Sequence, residues 1–450
     1  AVGSIGGGDR RVIAYITDLG FLHILDEMGE EPYPFPLDLG RDRRWSGVAA
    51  ADLDNDGNSE FIFTHYAQHR DSLGLTAVIG VINSRGEYRQ GFPVIIPNAF
   101  ISSPAVGDIT GDGNLEIVVA FARRDSALCS ITAYTGGGEE LNGFPREMFS
   151  TIGSSISLAD KDGDGRCEIY FWGRDVQRGQ GGIWGLTSTG EVLENFPLLT
   201  RKGHPWGGVA IADLEGDGSW EFAFGTYDPE RGSQVYLWRE NGAPIRGFPV
   251  TLESPSVVGS LVMEDVSGDG ILDIVVASSP NDEIPSRIFA FNHRGETVEG
   301  FPLSLDDWGG WAMGGTPTLY DLNRDGNTDI LAITAEGTLF AWATGGRFTG
   351  RGWLTEKGFF NRSGYRGVRQ GLLRAETPMP TLPKNTFLFY PQPFNGTGIL
   401  NIRLSHSQEV NIKLYDLQGR ERVSLYQGYL ATGTHNIPIN LALSTQSSGI

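Results

Sequence analysis

An acidic stretch of nine residues occurs six times in this chain, and its spacing limits the possible folds more than any other feature. The copies are DLDNDGNSE from Asp52, DITGDGNLE from Asp108, DKDGDGRCE from Asp160, DLEGDGSWE from Asp213, DVSGDGILD from Asp265 and DLNRDGNTD from Asp321. They align without gaps at intervals of 56, 52, 53, 52 and 56 residues. A Phe-Pro pair keeps the same beat, at Phe35, Phe92, Phe144, Phe196, Phe248 and Phe301, each 16 to 20 residues ahead of an acidic stretch. Two markers in phase at this period indicate a propeller or a solenoid.

Within each period the residues read as a four-strand meander. Two small residues precede each acidic loop: Ser46-Gly47, Ser102-Ser103, Ser154-Ser155, Gly207-Gly208, Gly259-Ser260 and Gly315-Thr316. A strand without bulk in every copy fits a place where several sheets converge, as inner strands do around a propeller axis. An apolar run after each loop, such as Ile117-Val-Val-Ala120, reads as a buried second strand. A third strand then ends in a glycine turn, and the fourth begins at Phe-Pro, where proline suits an outer edge. The 63 glycines and 23 prolines agree with many short strands and tight turns.

These loops and markers resemble the FG-GAP or VCBS repeats that build the β-propellers of integrin α-subunits, over about residues 10 to 365. The resemblance implies an all-β chain with a propeller in residues 1–374. Val12 through Pro36 reads as strands two to four of a further blade without its first strand and loop, which favours seven blades, with six the alternative. The segment 353–372, which lacks Phe-Pro, is expected to close the ring against that N-terminal piece.

Carboxylates about 4 Å apart repel by about 1 kcal/mol in water and about 4 near a protein surface, so clustering them needs a counter-charge. Side chains at positions 1, 3 and 5 converge, glycine at 6 permits the bend, position 7 offers its carbonyl and a carboxylate at 9 closes the cage. The ligand sets are Asp52, Asp54, Asp56, Asn58 and Glu60; Asp108, Thr110, Asp112, Asn114 and Glu116; Asp160, Asp162, Asp164, Arg166 and Glu168; Asp213, Glu215, Asp217, Ser219 and Glu221; Asp265, Ser267, Asp269, Ile271 and Asp273; and Asp321, Asn323, Asp325, Asn327 and Asp329. Oxygen-only sets of this size select Ca²⁺ over Mg²⁺, for up to six ions. An EF-hand needs its glutamate at position 12 and flanking helices, so that reading fails. Loops with Asp at position 3 are expected to bind tightest, those with Thr, Ser or Asn more weakly, and Glu215 to distort its site. The net charge of −20 would fall to about −8 with six divalent ions bound. Extracellular calcium modules bind at about 10⁻⁴ to 10⁻³ M, a level found outside cells.

In a meander the turns alternate between faces, so the turns joining strands two to three, and one blade to the next, lie opposite the acidic loops. By resemblance to integrin propellers that face is the expected ligand surface, with Arg44, Trp45, Arg70, Arg123, Arg124, Arg174, Trp206, Trp308 and Trp311 as candidates. Aromatic rings beside guanidinium groups can stack on sugars or anchor a protein partner.

Composition shifts at 375–386 to a linker rich in Pro and Thr, and short alternating strands follow over 387–450, enough for a small immunoglobulin-like sandwich. Tyr390-Pro-Gln-Pro-Phe-Asn395, Val410 through Glu421 and Gly433-Thr-His435 resemble the C-terminal sorting domain of type IX secretion substrates in Bacteroidota. That resemblance implies contact with the type IX machinery, a secreted or cell-surface location, and one more strand after Ile450.

The negative charge argues against nucleic acid as a partner, and no window approaches the about 18 apolar residues of a membrane helix. AVGSIGGGDRR lacks the apolar centre of a signal peptide. Cys129 and Cys167 are too few for a disulfide framework and read as unrelated thiols. The seven histidines show no zinc spacing, and neither a nucleophile elbow nor a phosphate loop is present. The sequence therefore favours a binding or adhesion module for an extracellular protein or polysaccharide over an enzyme. A polysaccharide lyase or hydrolase, or its non-catalytic propeller, is the first alternative, and a structural subunit of a surface assembly the second.

Overall fold

A computed structural model of the chain describes most of residues 1–366 and five strands between 386 and 440; the longer stretches outside the described residues are 6–9, 69–74, 176–180, 228–231, 280–285, 305–314, 334–338, 359–362, 367–385, 391–396, 416–420 and 441–450. Every element among the described residues is a strand. The chain divides into two compact units, one of Ala1–Leu339 with Ala343–Val368, the other of Phe340–Trp342 with Arg369–Ile450.

The first unit carries seven antiparallel blades in chain order. Blade 1 is Val2–Ile5, Arg10–Ile16, Phe21–Asp26 and Leu37–Asp38, and blade 2 is Arg43–Ala51, Glu60–Gln68, Leu75–Ile82 and Val94–Pro97. In blade 3 the inner strand is split into Ala99–Ile101 and Ala105–Gly107 and is followed by Glu116–Arg123, Cys129–Tyr134 and Arg146–Ile152. Blade 4 is Ser157–Ala159, Glu168–Asp175, Gly181–Leu186 and Leu198–Leu199. Blade 5 splits its inner strand into His204–Pro205 and Ala210–Ala212, followed by Glu221–Tyr227, Gln234–Arg239 and Val250–Thr251. Blade 6 is Ser256–Glu264, Asp273–Ser279, Arg287–Phe291 and Leu303–Ser304, and blade 7 has three strands, Thr318–Tyr320, Asn327–Ile333 and Leu339–Arg347. The strand Arg146–Ile152 pairs first with the third strand of blade 3 and then with Gly173–Asp175 of blade 4, which joins the two sheets.

The apolar core lies between successive blades. One cluster fills the space between blades 1 and 2 around Phe61 and Phe63, and others lie between blades 2 and 3 and between 3 and 4. A larger one spans blades 4 to 6 around Trp172, Phe222 and Trp353. Each fully buried Ile, Val or Phe on the second strands contributes about 1.5–3 kcal/mol relative to exposure, which is why these strands are apolar on both faces. All six Phe-Pro bonds are cis, and each short fourth strand pairs just after them.

The small residues sit where the inner strand of one blade touches the neighbouring blade. Thr64 Oγ1 donates to Ser102 O at 2.7 Å, Ser157 Oγ to Val209 O at 2.6 Å, and Ser260 Oγ accepts from Gly208 N at 2.8 Å. Ser260 N in turn donates to Thr316 Oγ1 at 2.8 Å. A Cβ added at Gly207 would lie 2.2 Å from Gly259 O of the next blade, whereas nothing lies within 4 Å of one added at Gly315.

Two expectations are corrected. Blade 1 has its own first strand, with Val2 paired to Ile13 and Ile5 to Arg10; the four residues 6–9 replace the acidic nonapeptide, so the sequence offered no marker for it. The described part of 353–372 does not seal the ring against the N-terminal piece. It crosses the axis. Met263 N donates to Trp353 O, Leu319 N to Leu354 O, Val106 N to Ser363 O and Leu158 N to Gly364 O, at 2.6–2.9 Å. Each of these donors stands two residues before an acidic loop, in blades 6, 7, 3 and 4. Inner strands carry unpaired amides toward the axis, and a crossing segment satisfies them where a further blade strand could not reach. Tyr365–Arg366 continues this as a parallel pair with Leu158 and Ala159, and Lys357 Nζ donates to Pro104 O at 2.5 Å.

The second unit contains a three-stranded sheet of Thr386–Tyr390, Thr397–Leu404 and Gly433–Asn440 and a two-stranded sheet of Gln408–Tyr415 and Glu421–Leu430, with Val410 and Ile437 buried. The linker expected at 375–386 lies outside the described residues except for Thr386.

Gly207→Ala is expected to lower stability by about 1–3 kcal/mol, because the clash is with backbone, while Gly315→Ala changes it little. Denaturant melts of the two variants check this, and equal effects would remove the close approach of inner strands as the reason for the small residues.

Candidate functional site

The six acidic loops share one hydrogen-bond plan. The position 1 carboxylate gathers the turn: its Oδ2 accepts from the glycine N–H at position 6 in every copy, at 2.9–3.1 Å. Its Oδ1 accepts from position 4 or 5, as from Gly111 N at 2.6 Å and Asp325 N at 3.1 Å. The position 5 carboxylate accepts the N–H of position 7, at 2.7–2.8 Å for Asn58, Asn114, Arg166, Ser219, Ile271 and Asn327. The position 9 carboxylate, on the first residue of the second strand or two residues into it, reaches back to the N–H of position 2 at 2.8–3.0 Å. Position 4 also takes the left-handed conformation, at φ 75° in Gly111, 58° in Asn55 and 61° in Arg324. The sequence carried a signal for this, since glycine stands there in four of the six copies.

This plan leaves buried charge in need of a partner. Burial pushes the carboxyls of Glu60, Glu116, Glu168 and Glu221 up to about 7 and that of Asp273 to about 6, tempered by the position 2 amide and reinforced by neighbouring loop carboxylates. Asp329 is also raised by burial, whereas Asp56, Asp112 and Asp325 are held low, chiefly by the position 7 amide. Carboxylate oxygens converge within 4.8 Å of one another in two loops, Asp52 with Asp54 and Glu60, and Asp160 with Asp162 and Asp164. In the loop beginning at Asp108 the Thr110 hydroxyl is shielded from solvent without a hydrogen bond of acceptable geometry, although it lies close enough to help hold Asp112 low. An oxygen-only donor set with a shielded hydroxyl among its carboxylates fits a hard divalent cation.

Two loops have neighbours that the repeat did not predict. Asp265 is buried, and its Oδ2 also accepts from Arg347 N at 3.3 Å; beside it Glu264 accepts from Thr349 Oγ1 at 2.6 Å and Gly350 N at 2.9 Å. In the first loop Arg89 Nη1 lies 2.7 Å from Asp54 Oδ2 and 3.7 Å from Glu60 Oε2, and Arg89 Nε donates to Gly136 O of blade 3 at 2.8 Å. Arg89 stands three residues before Phe-Pro, where Leu141, Leu193, Ile245 and Val298 occupy the same register in later blades. A lone charge at an otherwise apolar position was the available signal.

On the opposite face, Arg123 and Arg174 lie toward the far ends of second strands that begin at Glu116 and Glu168, about 23 Å and about 20 Å away at about 3.3 Å per residue. The Arg123 guanidinium sits 5.6 Å from the ring centroid of Phe121, and that of Arg174 5.9 Å from Trp172; both rings are buried. Arg124 is exposed, and its N–H donates to Asn98 O at 2.9 Å. Phe100, 40% exposed, packs edge-on against Tyr66 at 5.1 Å and joins this face. Arg44 and Trp45 are placed by backbone register, paired with Tyr66 and His65. Arg70, Trp206, Trp308 and Trp311 lie outside the described residues. Cys129 and Cys167 are not joined in a disulfide.

Residues 265–332 match the model of the FG-GAP-like repeat, which covers the fifth and sixth acidic loops. No curated protein sequence matches the chain. Among solved structures, the chain is similar to the BP39L lectin from Burkholderia pseudomallei, at 14% identity and a TM-score of 0.50 over 78% of this chain and 96% of that one. It is also similar to the Dos1 propeller, at 10% identity and 0.44 over 76% of each chain, and to the Bacillus licheniformis rhamnogalacturonan lyase PL11, at 16% identity and 0.34 over 94% and 77%. At these identities the likeness to the lectin shows the fold alone. FG-GAP-like repeat sequence and a seven-bladed all-β propeller are thus established together.

Stripped of metal, the protein is expected to lose stability as pH rises. The four glutamates keep their protons up to about pH 7 when folded but only to their ordinary 4.5 when unfolded. Between these values the folded state holds more protons, so stability is highest at the acid end of the window. Thermal melts of protein stripped of metal beforehand, in metal-free buffers at about pH 5 and about pH 7.5, check this; a higher melting temperature at the alkaline value contradicts it.

Proposed function

We propose that this chain is a calcium-stabilised propeller that binds a protein or polysaccharide outside the cell through the face opposite its acidic loops. The supporting observation is the division of labour between the faces. On one, six oxygen-rich loops surround inner strands capped by Trp353, Leu354, Ser363 and Gly364; on the other, the exposed Arg123 guanidinium and the half-buried Arg174 guanidinium lie over buried rings beside an exposed phenylalanine. Guanidinium and aromatic groups at one surface suit a sugar carboxylate or an acidic protein patch. In this reading positions 1, 3, 5 and 9 of the loops hold calcium, and the ion supplies the positive charge that their 21 carboxylates lack. The tail from 387 is read as an immunoglobulin-like sorting domain for type IX secretion, on the sequence resemblance already given, and the location follows from it.

Each site with a Kd of about 10⁻³ M adds about 1.4 kcal/mol at about 10 mM calcium. EGTA is therefore expected to lower the melting temperature by several degrees, and an unchanged melt removes calcium from the account. For the ligand face, a glycan array and a pull-down from extracellular material are expected to yield a hit whose affinity drops at least about tenfold in Arg123→Ala or Arg174→Ala, by loss of a desolvated cation. Hits indifferent to both substitutions would sink this face as the binding surface.

A further inference from the structure

We infer that Arg89 takes the place of a cation in the loop 52–60, partly compensating its carboxylates, and that this loop takes no calcium; the inference rests on the calcium reading for what the remaining loops do. Three observations carry it. First, the guanidinium lies against the converged carboxylates, with Nη1 2.7 Å from Asp54 Oδ2 and 3.7 Å from Glu60 Oε2. These are the oxygens at positions 3 and 9, the ones a cation in this loop would share with Asp52. Among the described residues, these are the ion pairs made by any carboxylate of the six loops. Second, the guanidinium is held from the other side. Its Nε donates to Gly136 O of the next blade at 2.8 Å, so turning away from the loop would also break a contact between blades. Third, the side chain is specific to this blade. Its register position carries Leu141, Leu193, Ile245 and Val298 elsewhere, and those side chains pack into the inter-blade core.

An ion entering this loop meets a fixed positive charge at the same oxygens. It must displace the guanidinium or accept repulsion at contact distance. The loop with four acidic ligands, by composition among the strongest, is then the one that does not load. Arg89 does there permanently what calcium does in the others, and at the same time joins blade 2 to blade 3.

The test counts calcium by isothermal titration calorimetry on the wild-type chain and on Arg89→Leu, which installs the residue found in blades 3 and 4. The expected result is one more ion per chain in the variant. Equal counts overturn the inference, including the case in which neither protein binds any. A wild type that binds none beside a variant that binds one would support Arg89 and remove calcium from the other loops. Should Arg89→Leu fold poorly, melts of Asp54→Asn and Asp162→Asn, with and without EGTA, decide the matter in the native arginine background. Asp54→Asn is expected to lower the melting temperature equally in both conditions. A larger loss in calcium would overturn the inference. Asp162→Asn reports separately on the calcium reading, being expected to cost stability only when calcium is present.

Discussion

One contact recurs at the root of every acidic loop: a carboxylate at the start of the second strand accepts the amide of the second loop residue. In Glu60, Glu116, Glu168, Glu221, Asp273 and Asp329 this carboxylate is nearly removed from solvent. It fixes the point where the inner strand turns into the second, and with it the way each blade faces the axis. A carboxylate in that position is costly unless it is hydrogen-bonded or paired, and the amide of the second loop residue supplies that bond in every copy. The rest of the loop, with its left-handed residues at positions 4 and 6 and its converging side chains, is built around that bond.

The axis imposes the second constraint. Seven inner strands meet there, and adjacent blades approach so closely that backbone and hydroxyl groups bond directly, as from Ser260 to Thr316 and from Gly208 to Ser260. A segment after the last blade then caps the amides just ahead of the acidic loops in blades 3, 4, 6 and 7. One side of the propeller is therefore taken up by structure. On the other, Arg123, Arg124 and Phe100 are exposed, and it is there that the proposed binding surface lies.

Much of this was legible in the sequence, because a period repeats the same physical requirement six times. The nonapeptide and the small residue pair mark the blades, the inner strands and the loop positions by residue type alone. What escaped reading were features that occur once. Val2–Ile5 forms a first strand with no acidic loop behind it, so nothing marked it as such. The described residues 353–358 and 363–366 bond to four strands distant in sequence, an arrangement that local pattern cannot encode. Arg89 is a single departure from an apolar register, visible only when the blades are aligned on Phe-Pro. Of the ligand face, residue types were readable, but the placement of Arg123 and Arg174 over the rings two residues before them required the strand geometry.

The central claim is that the oxygen cages hold divalent cations where no internal charge replaces them. Crystals grown in millimolar calcium, with data collected at a long wavelength, test it directly through anomalous difference density. The account predicts peaks among the carboxylates of the loops beginning at Asp108, Asp160, Asp213, Asp265 and Asp321, and none at Asp52, where the guanidinium lies. Loops without anomalous density at that calcium level would contradict it.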